Sequence, residues 1–392
     1  MTAVIVLAAV VATAAILSES ISAALVRSDP QAAAAWGPGN SEAAFAAANH
    51  AVGEALTGSE IDEATGRAAR ALRSSPLSAA NLRVLAQAYQ LKGDDGRAHA
   101  LMELAGRRSF RDTPAQLWLF QEDLSAGRFD KAFVRADLML RRNPDLEGFL
   151  FPAMVSRLDA PAARTAMLDR LRRGPNWRPS FIQGLAQGGE QGGVAPWLLT
   201  NLTSSPNPPT PQEIAFVSRG FIGKGDWAAA RAWSGRFRAS NEPLLFDGDF
   251  EQTAREPPFG WRFEEKDGAV ASIEPLDGGH SLFAQFPVGR SAPLAEMLML
   301  LQPGHYRLSG RFKVDQLPAG AVFRWTASCA ESGATLLSWD ANQTSGWRRL
   351  DAQFDIPADG CAAQWLRLAG NGGEGYLPAS SWYDDLRLER AP

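Results

Sequence analysis

Few residues in this 392-residue chain are spaced for covalent chemistry. Its four histidines, His50, His99, His280 and His305, are scattered, with no Cys or carboxylate at metal-ligand spacing. The glycine-rich stretch Gly188–Gly193 has no strand before it and no Lys after it, so it reads as a flexible link and not as a phosphate cradle. No Gly-x-Ser-x-Gly elbow is present. A carboxylate pair for glycoside hydrolysis is assembled in three dimensions, and spacing does not decide it. The expectation is a non-catalytic protein that requires no cofactor. Nucleic acid is not an expected partner, because the arginines are interleaved with acids and lack aromatic neighbours.

Two groups of side chains remain that could act. Cys329 and Cys361 are the only cysteines, and both fall in predicted strands. As a disulfide they would contribute roughly 3–4 kcal/mol on the chain-entropy model; two buried thiols are the alternative. Trp325, Trp339, Trp365 and Tyr376 could supply a stacking platform for a sugar ring, with core packing as the alternative.

The elements that must position them start at a hydrophobic N-terminus. Val4 to Leu17 is an unbroken run of apolar and small residues that extends, with Ser18, Glu19 and Ser20 interposed, to Val26. About 20 such residues suffice to cross a bilayer. Residues 1–26 are therefore expected to be a transmembrane anchor, with a signal peptide cleaved after Ser22-Ala23-Ala24 as the alternative. Arg27 follows the run and no Lys or Arg precedes it, which taken literally puts the rest in the cytoplasm. The lone cysteine pair argues instead for an oxidising compartment, so a periplasmic or other extracytoplasmic location is expected. Residues 27–59 read as a linker and a first helix, with Gln31 to Asn40 lifting the rest off the membrane.

Residues 60–240 carry helical periodicity. In Leu82, Leu85, Ala86, Tyr89, then Ala98, Met102 and Ala105, apolar or small residues recur at spacings of three and four, with Gly93 at the expected turn. The spacing appears one period earlier in Ala64, Ala68, Ala71 and Leu72, and later in Phe129, Ala132 and Ala136. A further copy runs through Ile214, Val217, Ser218, Phe221, Gly225, Trp227 and Ala230. With a period of about 34 residues, the stretch from Ala64 to about Pro144 resembles the tetratricopeptide repeat. It departs from that pattern in its third copy, where Gln116 replaces an aromatic and the inter-helix turn reads one residue short. The resemblance implies an α-solenoid whose first helices line a concave protein-binding surface. On Ala79–Leu91 the helix positions left facing outward are Asn81, Arg83 and Gln87, the expected partner-binding residues.

From residue 243 to 392 the pattern alternates as strands do, punctuated by Asp277-Gly-Gly, Pro303-Gly, Asp359-Gly and Asn371-Gly-Gly. An antiparallel β-sandwich follows. The opening Leu245-Phe-Asp-Gly248-Asp249-Phe250-Glu251, the strand His305-Tyr306-Arg-Leu308-Ser-Gly310 and the ending Trp382-Tyr383-Asp384-Asp385-Leu386 resemble jelly-roll domains of the galactose-binding-like, carbohydrate-binding type. That resemblance implies first and last strands lying together, with a structural Ca2+ held by Asp249 and Glu251 with Asp384 or Asp385. It also implies that Trp261 and Trp347 pack the core.

Charge divides with the pattern: 25 Lys+Arg against 18 Asp+Glu from Glu60 to Ser240, and 13 against 20 from Pro243 to Pro392. The fold class expected is multidomain α plus β: a hydrophobic N-terminal helix, a repeat solenoid and a jelly roll. The functional expectation is an envelope-anchored scaffold binding protein partners, similar in architecture to repeat proteins of bacterial polysaccharide assembly or export. The alternative is a glycan-binding protein whose repeats are a spacer.

Overall fold

A computed structural model describes residues 2–188, 193–237, 243–252, 257–374 and 376–391, without the side chains of residues 2–12 and 14. Most of the Gly188–Gly193 link and the expected domain break at Asn241 lie outside the described residues. The chain divides into two compact units, 1–171 and 172–392.

The first unit is helical: α1 (Thr2–Leu25), α2 (Pro30–Trp36), α3 (Ser41–Glu54), α4 (Gly58–Ser74), α5 (Ala79–Leu91), α6 (Asp95–Arg108), α7 (Thr113–Ser125), α8 (Phe129–Leu140), α9 (Glu147–Val155) and α10 (Pro161–Leu171). Side-chain caps start several of them, including the Thr57–Glu60 capping box of α4 and Asp94 and Asp112 before α6 and α7. Consecutive helices pack as hairpins, α3 on α4, α5 on α6 and α7 on α8. The last two hairpins begin 34 residues apart, at Ala79 and Thr113. Their turns match. Gly93 and Gly127 sit at φ 74° and 71°, where a Cβ would be strained, and Asp94 and Arg128 each donate back to the first helix. The third copy's turn is therefore not short, contrary to the sequence reading.

Small residues set the helix spacing. Ala64, Ala68, Ala86, Ala98 and Ala105 are buried, and a Cβ on Gly106 would lie 2.5 Å from Leu119 Cδ1. Successive hairpins are also joined by a recurring buried amide. Asn81 Nδ2 donates to the Ala71 carbonyl and Gln116 Nε2 to the Gly106 carbonyl, each at 2.9 Å and each ten residues back.

The expected linker is ordered structure. Asp29 caps α2, Pro30 occupies its first turn, and Ser22 Oγ donates to the Ala33 carbonyl while accepting from Asn40 Nδ2. Asp-Pro starts a helix, and the alanines that suggested a spacer let that helix pack. Among the described residues no helix is long and apolar enough to cross a membrane. α1 is continuous, but most of its apolar run has side chains outside the described ones, so the expected span has no support there.

The second unit begins with α11 (Arg178–Gln187), α12 (Val194–Leu202), α13 (Pro211–Gly223) and α14 (Trp227–Arg236). The sequence reading had joined these helices to the solenoid; by contacts they cluster with the sheets. A buried Arg178–Glu213 ion pair at 2.7 Å ties α11 to α13. From α14, Arg231 reaches the carbonyls of Ala362 at 2.6 Å and Leu301 at 3.3 Å.

Eleven described strands follow: β1 (Arg262–Phe263), β2 (Glu265–Lys266), β3 (Ala269–Leu276), β4 (Gly279–Phe286), β5 (Ser291–Met299), β6 (Gly304–Gln316), β7 (Ala321–Cys329), β8 (Thr335–Ala341), β9 (Arg348–Ile356), β10 (Gln364–Gly372) and β11 (Ala379–Arg390). They form a five-stranded sheet, β1-β5-β10-β7-β8, and a six-stranded sheet, β2-β3-β4-β11-β6-β9, antiparallel throughout. One apolar core lies between them, centred on Trp325, Tyr383, Phe286 and Phe323. The expected first strand, Leu244 to Phe250, does not form. Asp247 and Phe250 adopt φ 47° and 56°, breaking the extended backbone, and one bond from Leu386 N to the Gly248 carbonyl is what joins it to β11.

Cys329 and Cys361 are disulfide-bonded, with Cα atoms 4.9 Å apart. Cys361 precedes β10 instead of lying within it. The bridge closes a 32-residue separation, which the chain-entropy model values at about 3–4 kcal/mol. Cys329→Ser should lower the melting temperature of the second unit and leave the first unchanged. Equal melting of oxidised and reduced protein would show that the bridge adds no stability.

Candidate functional site

The four expected platform residues are not brought together. Trp325 is 0% exposed in the core, edge-to-face with Tyr383 at 5.4 Å and with Trp261 at 5.9 Å. Trp339 lies opposite Trp325 in register and packs on Phe312 at the margin of the core. Tyr376 is fully exposed between β10 and β11. Trp365 alone sits on the outer face of the five-stranded sheet. Strand alternation accounts for this split: once Trp325, Phe323 and Leu366 point inward, Arg324, Thr326, Trp365 and Arg367 must point outward.

Part of that outer face is polar and ordered by ion pairs, while Leu298, opposite Trp365 on β5, is buried. In one register row across all five strands stand Arg262, Glu296, Arg367, Thr326 and Ser338. At ~4.8 Å per strand the row spans about 19 Å. Glu296, largely buried, accepts from Arg262 and from Arg367 Nε at 2.8 Å. The Arg367 guanidinium then lies 4.9 Å from the Trp365 ring centroid, steadying the half-buried indole. On the far side of the row, Arg324 grips Asp340 through two nitrogens, and this holds the Asp340 carboxyl below its ordinary range. The face offers fixed donors and acceptors next to an apolar ring, an arrangement that can hold a hydroxyl-rich ligand. The sequence reading named Trp365 and missed its neighbours, because no local spacing links Arg262, Glu296 and Arg367.

Three of the four expected calcium ligands are engaged by other partners, and Asp249 lines one cavity with Asp385. Glu251 accepts from the His280 backbone N at 2.6 Å and pairs with its ring Nδ1 at 2.9 Å, and these bonds lower its carboxyl. Asp384 is buried and takes Arg311, Ser281 Oγ and the Asp385 N–H. Asp385 pairs with Arg311 Nε at 3.1 Å. Asp249 stands instead beside Asp247. Among the described residues no group of three or more His, Cys, Asp or Glu could hold a metal ion. Trp347, expected in the core, is half exposed, with its indole N–H on Asp277 at 2.8 Å.

The partner-binding trio is also internal. Asn81 is 2% exposed, and its amide is the one that joins α5 to α4. Arg83 bonds Asp112, the cap of α7, at 2.9 Å, and Gln87 Oε1 at 3.2 Å. Asn81 and Arg83 hold adjacent repeats together, and Gln87 accepts from Arg83 within the same helix. Asn81→Ala removes one of the donors on the Ala71 carbonyl, which also accepts from Ser74 Oγ and the Ser75 N–H, and should cost about 0.5–1.5 kcal/mol in the first unit. An unchanged melting curve would return Asn81 to the surface role.

Burial pushes the Asp247 carboxyl up to about 6, with Asp249 adding to the shift. Its native pKa lies above its unfolded value of 3.8, so folding binds a proton between those values and stability falls as pH rises through them. Asp247→Asn keeps the acceptor for the Gln252 N–H and tolerates the left-handed backbone. It should raise the melting temperature at pH 7 and flatten the slope between pH 4 and about 6. Loss of stability at pH 7 would contradict this.

No family model matches the chain, and no curated protein does. Among solved structures, a CBM4 module is 13% identical over 38% of this chain and 99% of its own, with a TM-score of 0.30. TmCBM61, solved with β-1,4-galactotriose, is 16% identical over 38% of this chain and 100% of its own, at 0.28. The xylan-binding CBM22-1 domain of Paenibacillus barcinonensis Xyn10C is 16% identical over 40% of this chain and 100% of its own, at 0.28. The fold of the second unit stands on its own strand order.

Proposed function

We propose that the second unit binds a glycan across the outer face of its five-stranded sheet. The observation that carries this is the Arg262–Glu296–Arg367–Thr326–Ser338 row with Trp365 beside it. A pyranose presents an apolar C–H face to an aromatic ring and hydroxyls to both sides. The row supplies donors from the arginines and hydroxyls from Thr326 and Ser338 without reorganisation, since Glu296 already holds the two arginines in place. The ligands of two similar modules, xylan and β-1,4-galactotriose, are consistent with this reading. Binding is proposed without cleavage: Arg324 bonds both oxygens of Asp340 and favours its ionised form, which suits it poorly as the acid that protonates a leaving group.

Trp365→Ala should weaken binding to soluble xylan or β-1,4-galactan at least tenfold, as removal of a central aromatic anchor does at roughly 2 kcal/mol. Arg367→Ala should do the same in part, by freeing the indole. Unaltered affinity in both variants, or no affinity of the wild type for any glycan, defeats the proposal.

A second reading makes the first unit a tetratricopeptide-like scaffold for a protein partner. The 34-residue repeat of its hairpins and the matched glycine turns support it. A protein that co-purifies with the full chain even when Trp365 is replaced would favour it. The disulfide supports an oxidising, extracytoplasmic location, and the oxidation state of Cys329 and Cys361 in cells tests that.

A further inference from the structure

The outer face of the six-stranded sheet carries a second aromatic group that the first site does not use. Ser272, Phe283, Trp382 and Lys313 occupy one register row on β3, β4, β11 and β6. The Phe283 and Trp382 rings are 4.7 Å apart at 48°. Both are half buried on a face that strand alternation turns away from the core, and Gln285 and Ser380 flank them one row along.

The Trp382 ring is held in position. Its indole N–H donates to Asp315 Oδ2 at 2.8 Å, and the other oxygen of Asp315 pairs with Lys313 Nζ at 2.9 Å. A carboxylate locked between an ammonium and an indole fixes the ring plane before any ligand arrives. A core tryptophan needs no such clamp, and one merely tolerated on a surface would keep rotameric freedom. We propose that Phe283 and Trp382 form a second glycan platform, on the opposite sheet, for a neutral hexopyranosyl chain. The reading of the unit as a glycan binder underlies this, but the residues are different.

Neutrality follows from the charges beside the rings. Lys313 is paired with Asp315, and Arg311 is paired with Asp384 and Asp385. Neither cation is left over for a uronate or a phosphate, and the carboxylates around them would repel one. What remains available is a ring surface bordered by an amide, hydroxyls and spare carboxylate lone pairs, which suits sugar hydroxyls. Two platforms on opposite faces would let one unit bridge two chains, raising avidity on an insoluble polysaccharide without tighter single sites.

The test uses the full chain and soluble β-1,4-galacto- and cello-oligosaccharides. Calorimetry should give two sites per chain in the wild type and one in either Trp365→Ala or Trp382→Ala. The indole N–H resonance of Trp382, identified by its loss in Trp382→Phe, should shift when the wild-type chain is saturated, a readout independent of whether the alanine variant folds. One site, lost in Trp365→Ala, with an unmoved Trp382 signal, overturns the second platform and keeps the first. Binding lost with Trp382 and unaffected by Trp365 keeps the second and overturns the first. No binding to any oligosaccharide, or a Trp382 signal that moves only with a protein partner, overturns the second platform.

Discussion

The second unit depends on the burial of Trp325. Its indole is enclosed between the two sheets, against Tyr383 from the six-stranded sheet and Trp261 from the segment leading into β1. Side chains alternate along a strand with period two, so this one inward choice decides the direction of every neighbour. Arg324 and Thr326 go out because Trp325 goes in, and the β10 register then puts Trp365 and Arg367 beside them. A one-residue slip would bury the arginines and expose the core, at a cost no surface contact could offset. The candidate glycan face is thus a consequence of the core.

Both outer faces use paired charges for orientation more than for stability. Exposed ion pairs contribute about 0–1 kcal/mol each, so Arg324–Asp340 and Lys313–Asp315 do not hold the sandwich together. They fix where donors, acceptors and ring planes stand. The same pairing engages Glu251, Asp384 and Asp385, three of the four carboxylates expected for a calcium ion. Arg311 takes Asp384 and Asp385 from the ending Trp-Tyr-Asp-Asp, and His280 takes Glu251 from the opening segment, so these acids serve as partners for a cation and a ring.

In the helical unit, Asn81 stands at a helix position expected to face outward and Gln116 at one that departs from the repeat. The structure buries both for the same reason. Alanine and glycine bring helices so close that carbonyls at the end of one helix, Ala71 and Gly106, are shut off from water. A buried carbonyl needs a donor: the next hairpin gives Gly106 a side-chain amide, and gives Ala71 a further one beside Ser74 Oγ and the Ser75 N–H. The substitution that looked like a departure from the repeat and the residue that looked like a contact for a partner are one device used twice.

Periodicity and punctuation, both local properties, determined most of the element list: the hairpin positions, the Gly93 turn and nearly all strands were legible in the chain, while the matching Gly127 turn was not. Even the cysteine pairing was available by count, since two cysteines allow one bridge. What only the tertiary structure decided was which aromatic residues share a face, which acids meet a base, and that the last four helices cluster with the sheets. Those are relations between residues distant in sequence, such as Glu296 with Arg367 or Phe283 with Trp382. Strand order and register create them. Neither is encoded in the spacing of any one segment, because hydrogen-bonded neighbours in a sandwich are chosen by the packing of the whole core.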